Sequence, residues 1–301
     1  MRVLLPPSET KRSGGGSAAF QGELLAHADA LGGTRARVLG ALEALCAPTD
    51  EAGEDAAAAV LKLGVRARGE ISHNRALSYS PTMPAIERYT GVLFDALDAV
   101  TLDADARAWV DAHVSIQSSL FGLIHAGDPI PAYRLSASTP LLVGQDPAGG
   151  TSTRTAKPAR LKALWRDAHA VIPWVGVPFI IDLRSKDYAA LAPVSADANA
   201  VVVEVAQRTA DGRTRALNHF NKQAKGDLVR RLAESGAEIG SSGELIAWGS
   251  AHGLEFVPGH TPREITLVTS LGAPPAPPSS VDAVNARSGD TMVGVPKGLE
   301  S

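Results

Sequence analysis

Two consecutive prolines, Pro6 and Pro7, cut short the first apolar run of the chain, Val3 to Leu5. Proline has no N–H to give a sheet ladder, so the run predicts a strand that stops there and passes into a turn. That turn is crowded with polar groups: Ser8, Glu9, Thr10, Lys11 and Arg12, then Gly14, Gly15 and Gly16 before a helical pattern starting near Ser17. A strand, a donor-rich turn and a helix start form an anion cradle in outline. The spacing is not the Gly-x-x-x-x-Gly-Lys-Ser/Thr of a nucleotide-binding P-loop. The segment therefore predicts a phosphate or carboxylate partner and names no reaction. A solvated turn that caps a helix is the competing reading.

Further along, residues 17–31, 34–46 and 54–63 read as Ala/Leu-rich helices. Residues 84–100 predict a longer amphipathic helix, with Ile86, Tyr89, Leu93, Leu97 and Val100 on one face. Helices are also expected at Ala159 to Ala168 and Phe220 to Glu234. Expected strands are Val177 to Leu183, Ala200 to Val205, Thr214 to Leu217 and Glu264 to Val268. Asp211-Gly212 marks a hairpin between the middle two. No regular βαβ period appears, so the expected class is α+β: a single mixed-sheet body with surrounding helices over 1–271. From Gly272 the chain turns Pro-rich, Pro-Pro-Ala-Pro-Pro-Ser-Ser, and 272–301 is expected to be a flexible tail.

The single cysteine, Cys46, rules out an intramolecular disulfide, and its apolar helical neighbours predict a buried thiol. There is no run of about 20 apolar residues to span a membrane. A basic-then-apolar secretory start is also lacking, so the expected location is cytoplasmic. No His or Cys set has metal-ligand spacing, and no metal or cofactor is expected. The formal net charge of -3 weighs against strong non-specific DNA binding, which draws on a basic surplus.

Several short clusters combine aromatic, basic and hydroxyl residues: Ser72-His73-Asn74-Arg75, Tyr79-Ser80-Pro81, Arg88-Tyr89, Tyr133-Arg134 and Arg184-Ser185-Lys186-Asp187-Tyr188. Arginine offers a planar fork to phosphate oxygens, and tyrosine a hydroxyl and a stacking face. Surface ion pairs explain each cluster singly; their recurrence suggests a shared pocket. Lys222 and Lys225 project from one flank of the Phe220 helix, with Arg213, Arg215, Arg230 and Arg231 nearby, as a candidate basic patch. Gly236, Gly240 and Gly243 fall in a turn between two helical stretches, Ser235 to Ile246, that could present amides to phosphate.

Six segments in order carry a resemblance. They are Pro-Pro-Ser-Glu-Thr-Lys (Pro6 to Lys11), Arg-Tyr-Thr-Gly-Val-Leu-Phe-Asp-Ala-Leu (Arg88 to Leu97), Ser-Ser-Leu-Phe-Gly-Leu-Ile (Ser118 to Ile124), Pro-Ala-Tyr-Arg-Leu (Pro131 to Leu135), Arg-Ser-Lys-Asp-Tyr (Arg184 to Tyr188) and Phe-Asn-Lys-Gln-Ala-Lys-Gly (Phe220 to Gly226). Together they resemble the YaaA peroxide-stress protein family from residue 1 to about 260. The resemblance implies a cytoplasmic bacterial protein that helps hold down free iron under hydrogen peroxide stress and so limits oxidative DNA damage. It also implies a single α+β body with a central basic cleft, a helix–hairpin–helix-like element and DNA binding. Carried onto matching positions, the cleft residues are Ser8, Lys11, Tyr133, Arg134, Ser185, Tyr188, Lys222 and Lys225, and Arg75 joins them as a binding candidate from its own cluster. Two functions stay open: binding of DNA or another phosphate-bearing ligand, or an enzyme acting on a small anionic ligand such as a nucleotide or nucleoside.

Overall fold

The computed structural model describes residues 1–144, 158–208, 214–216 and 220–269. The expected first strand forms over Arg2–Leu5, with Val3, Leu4 and Leu5 fully buried. It lies inside a mixed eight-stranded sheet. In order across the sheet come Glu255–Pro258, Glu264–Thr269, Ala200–Arg208, Ile180–Asp182, Arg2–Leu5, Val114–Ser118 and Gly122–His125, with Thr214–Ala216 paired to Ala200–Arg208. The central strands from Glu264–Thr269 to Val114–Ser118 are all parallel. The two edge strands and Thr214–Ala216 run antiparallel. Val3 sits between Val114 and Ile181 in register.

The α+β expectation holds: helices surround a mixed sheet. Parallel strands covered on both faces read as continuous apolar runs, as Val3 to Leu5 and Ile180-Ile181 do. Val114–Ser118 is buried along its whole length yet carries Ser115, Gln117 and Ser118, which hid it from a hydropathy reading.

The helices depart from expectation in instructive places. Instead of helices over 17–31 and 34–46, a short 3-10 turn at Gly22–Leu24 precedes one continuous helix, Ala28–Cys46. The Gly32-Gly33 pair does not break it, because Leu31, Arg35, Val38, Leu42 and Cys46 form one buried stripe. Cys46 is a buried free thiol. The long helix expected over 84–100 is divided into Ala85–Arg88 and Val92–Leu97. Its apolar face is otherwise as expected: Ile86, Tyr89, Leu93 and Leu97 are buried, and only Val100 is exposed. The break has two causes. Gly91 has φ +97, outside the helical region. The neighbouring backbone is also taken by the N-terminal turn: Arg12 N–H donates to the Arg88 carbonyl and Thr90 N–H to the Thr10 carbonyl.

Ala104–His113, a helix not anticipated from periodicity, starts at Asp103, whose carboxylate accepts the Ala106 N–H at 2.8 Å. Phe220–Glu234 is helical as expected, with Ala224, Leu228 and Leu232 buried. The glycine turn before Ser242–Ala251 keeps its amides for itself. Ser241, the N-cap, accepts the Glu244 N–H on Oγ at 3.2 Å, and Glu244 reaches back to accept the Gly240 N–H at 2.8 Å. The Ala237 N–H donates to the Leu232 carbonyl. The Asp211-Gly212 turn lies outside the described residues, although its flanking strands pair with Thr214 opposite Arg208. The tail over 272–301 lies outside them as well. No helix among the described residues is long and apolar enough to cross a membrane.

Leu161–His169 packs on Ala28–Cys46. His169 is buried there and locked in one neutral form: its Nδ1–H donates to the Trp165 carbonyl at 2.7 Å, and its Nε2 accepts the Leu123 N–H at 3.1 Å. Burial pushes its pKa down from 6.5 to about 4. Between these values the unfolded chain binds the proton and the folded chain does not. Stability is therefore complete above about pH 6.5 and falls as pH drops towards 4, by up to about 3 kcal/mol. Urea midpoints measured from pH 7 to pH 4 should show this slope, and His169→Asn should flatten it. An equally steep acid limb in the variant would assign the slope to other groups.

Candidate functional site

The first strand and Ile180–Asp182 lie side by side and parallel, and the chain leaves them towards opposite sides of the sheet. From the first strand the next central partner is Val114–Ser118; from Ile180–Asp182 it is Ala200–Arg208. Such a reversal opens a crevice beyond the carboxyl ends of the two strands, where open sheets with parallel centres hold ligands. A cavity of about 420 Å³ lies there. Its walls come from Pro6 to Thr10 after the first strand, Thr90 to Phe94, Ser185 and Tyr188 after Ile180–Asp182, and Lys222 in the first turn of the Phe220–Glu234 helix.

Hydroxyls gather on one wall. Thr90 Oγ1 donates to Thr10 Oγ1 at 3.0 Å, and Ser8 Oγ lies 3.3 Å from Thr10 Oγ1. A Cβ at Gly91 would stand 3.3 Å from Ser8 Oγ, so the absence of a side chain there keeps this wall open. The charged lining residues are Glu9 and Lys222. Tyr188 Oη donates to Glu9 Oε1 at 3.4 Å, and burial raises the Tyr188 pKa, so it stays a neutral hydroxyl.

Behind this wall lies a second layer. Lys11 Nζ donates to the carbonyls of Ser8 at 2.8 Å and Glu9 at 3.3 Å and sits 4.0 Å from the centre of the Tyr133 ring. Burial pushes its pKa down from 10.5 to about 7, against the opposing pull of Glu9. Tyr133 and Tyr89 share a 2.8 Å hydrogen bond, and Tyr133 Oη lies 2.8 Å from Ser118 Oγ. Ser118 Oγ also accepts N–H groups from Leu120 and Phe121, each at 3.0 Å. With both lone pairs engaged, Ser118 gives its proton to Tyr133, which in turn donates to Tyr89. Burial raises both phenol pKa values, so the chain stays neutral and fixed in direction. Arg134 closes the layer: its guanidinium reaches the Glu9 carbonyl at 3.2 Å, the Glu9 carboxylate at 3.5 Å and Glu70 at 3.2 Å.

The structure thus brings together most of the residues singled out from sequence. Ser8, Ser185, Tyr188 and Lys222 face one cavity, and Lys11, Tyr133 and Arg134 brace its wall from behind. Two residues stand elsewhere. Lys225 is buried and donates to the Leu183 carbonyl at 3.0 Å, tying its helix to the strand end. Arg75 bonds to the carbonyls of Cys46 and Pro48 and to Glu54 at 2.9 Å, clamping two helix ends. Arg88, in another of the aromatic–basic clusters, is also structural: fully buried, it donates to the carbonyls of Arg12, Pro81 and Ile130.

Sequence reasoning passed over Glu9 as a hub, the Thr10–Thr90 pair and Ser118. Glu9 and Ser118 stood inside quoted segments, but only the folded chain shows what they touch. The cations around the site are largely answered by acids. Besides Arg134, Arg230 pairs with Glu234 and Arg231 with Asp227, each at 2.8 Å.

Comparison with known proteins agrees with this arrangement of segments. A family model described as peroxide stress protein YaaA matches residues 1–259. A UPF0246 protein of Corynebacterium glutamicum is 39% identical over 270 residues, covering 89% of this chain and 100% of the relative. A UPF0246 protein of Corynebacterium efficiens is 39% identical with the same coverage. One from Streptomyces coelicolor is 37% identical over 254 residues, covering 82% of this chain and 88% of its own.

Proposed function

The chain belongs to the YaaA peroxide stress protein family, and from that premise we propose that it serves peroxide stress by holding a small phosphate-bearing ligand, of nucleotide size, in the switch-point cavity. The observation that carries this is the cavity's placement and lining. It opens at the carboxyl ends of two parallel strands and joins the hydroxyls of Ser8, Thr10, Thr90 and Ser185 to the exposed ammonium of Lys222. Its volume falls in the range of roughly 300–1,000 Å³ typical of small-ligand sites. Lys222 lies in the first turn of a 15-residue helix, where the backbone dipole adds to its positive charge. A phosphate group would sit against Lys222 and the hydroxyls, with the apolar part against Leu93 and Phe94.

Duplex DNA is the second reading, drawn from the family resemblance. A duplex would reach only the rim of this cavity and would rely on cations spread over the surface. Arg134, Arg230 and Arg231 are already paired with carboxylates.

A thermal-shift series with nucleoside mono-, di- and triphosphates, run beside a DNA mobility assay, separates the two. A nucleotide at 100 times its Kd should stabilise the protein by about 2.7 kcal/mol, a shift of several degrees. Lys222→Glu should weaken that binding roughly tenfold or more by reversing the charge at the mouth. If nucleotides leave Tm unchanged while DNA binds with salt-sensitive affinity that Lys222→Glu abolishes, the DNA reading replaces this one.

A further inference from the structure

Glu9 supplies the one carboxylate among the described residues that line the switch-point cavity, and a carboxylate repels a phosphate rather than holding it. The turn fixes where this group stands. Lys11 Nζ donates to the Glu9 carbonyl at 3.3 Å, and Arg134 Nη1 donates to the same oxygen at 3.2 Å. The carboxylate itself is only lightly engaged. Tyr188 Oη donates to Oε1 at 3.4 Å, and Arg134 Nη2 stands 3.5 Å from Oε2. Full charge-assisted bonds run to about 2.7–2.9 Å, so neither oxygen has a strong donor. Arg134 also shares its charge with Glu70, 3.2 Å away. The Glu9 side chain keeps 43% of its surface open, so these oxygens are within reach of a ligand in the cavity.

An open carboxylate accepts hydrogen bonds and donates none, so it selects a ligand group that carries O–H or N–H. Position decides between the two. Glu9 lies between Ser8 and Thr10 in the chain, whose hydroxyl oxygens are 3.3 Å apart and belong to the wall that meets the phosphate. The part of a nucleotide next to its phosphate is the sugar, and the base lies one ring further on, towards the apolar Leu93 and Phe94. Two vicinal hydroxyls also offer two donors to the two oxygens of one carboxylate, the pairing by which dinucleotide sites of parallel sheets hold ribose. Resting on the phosphate-ligand function given above, we propose that Glu9 accepts hydrogen bonds from the ribose hydroxyls. The ligand class is then ribonucleotides, with 2′-deoxy forms discriminated against.

Isothermal titration of the full chain, in buffer containing Mg²⁺, tests this with the 5′-diphosphates of adenosine, guanosine, cytidine and uridine and with their 2′-deoxy counterparts. Each deoxy compound should bind about tenfold or more weakly than its ribo partner, since it forfeits a bond to a charged acceptor. Glu9→Gln keeps the side-chain volume and one acceptor oxygen but loses the charge. It should weaken ribonucleotide binding and leave deoxynucleotide binding unchanged or tighter, so that the preference shrinks to roughly threefold or less. Arg134 retains Glu70 in this variant, and Tm measured alongside reports its folding. Should the variant not fold, the comparison of the two sugars in the unaltered chain decides alone. Equal affinity for ribo and deoxy forms overturns the proposal and leaves the phosphate-ligand function standing. So does a preference that survives undiminished in folded Glu9→Gln, which would put a cation or nothing on the carboxylate. A choice among bases without a choice between sugars overturns it too, since a base N–H would then occupy Glu9. Binding of no nucleotide by the unaltered chain overturns the phosphate-ligand function, and this inference with it.

Discussion

Asp182→Asn is expected to cost about 3–5 kcal/mol of folding stability, read as a drop in the urea midpoint at pH 7. Asp182 ends the central Ile180–Asp182 strand, and its carboxylate takes three donors from Arg184: the backbone N–H at 3.0 Å, Nε at 2.9 Å and Nη2 at 2.7 Å. The Arg184 side chain has no exposed surface, and its remaining nitrogen donates to the Ala192 carbonyl at 2.9 Å. Asparagine fills nearly the same volume but leaves that guanidinium buried without a counter-charge. Lys225, also buried, loses a favourable charge at the same time. The effect should reach the cavity, because Arg184 is followed directly by Ser185 and, one turn on, by Tyr188. A loss below about 1 kcal/mol would mean that water reaches Arg184 and that the pair is no more than a surface contact.

Gly226→Ala is expected to destabilise by more than about 3 kcal/mol, although alanine is the better helix former. Gly226 lies inside the Phe220–Glu234 helix. A Cβ placed there would stand 2.1 Å from the Leu93 carbonyl oxygen and 2.9 Å from Ala96 Cβ. The obstacle is backbone, so no rotamer change relieves it; the Val92–Leu97 segment must move away. Leu93 and Lys222, on opposite sides of this contact, both line the switch-point cavity. The variant should therefore lose Tm and ligand affinity together. A Gly226→Ala protein as stable as its parent would show that the two helices are not in close contact.

Much of the architecture was legible in residue order. The Pro6-Pro7 stop placed the first strand's end, the i, i+4 row placed Phe220–Glu234, and Asp-Gly placed a hairpin whose arms do pair. The α+β class followed from elements interleaved without a regular period. The candidate site was legible in part for the same reason: cations and hydroxyls concentrate in short loop segments directly after strands. Where the reading failed, a long-range contact had overridden local preference. The 84–100 pattern is genuinely helical in period, but the N-terminal turn takes the Arg88 carbonyl and the Thr90 N–H. Val114–Ser118, with Ser115, Gln117 and Ser118 among its five residues, is not among the expected strands. Its Ser118 works in the buried hydroxyl chain with Tyr133, a partner that periodicity does not reveal.

Local order therefore settled what depends on near neighbours: where strands stop, which helix faces are apolar, and, from the single cysteine, that no intramolecular disulfide forms. Partnership was settled in three dimensions. Arg134, Arg184 and Lys222 are indistinguishable as cations in a string of letters. Folding buries one against an acid, braces a second between two others and leaves the third open to solvent at a cavity mouth. Charge acts over a few ångströms of space whatever the separation along the chain, so only the assembled molecule decides which cation is available to a ligand.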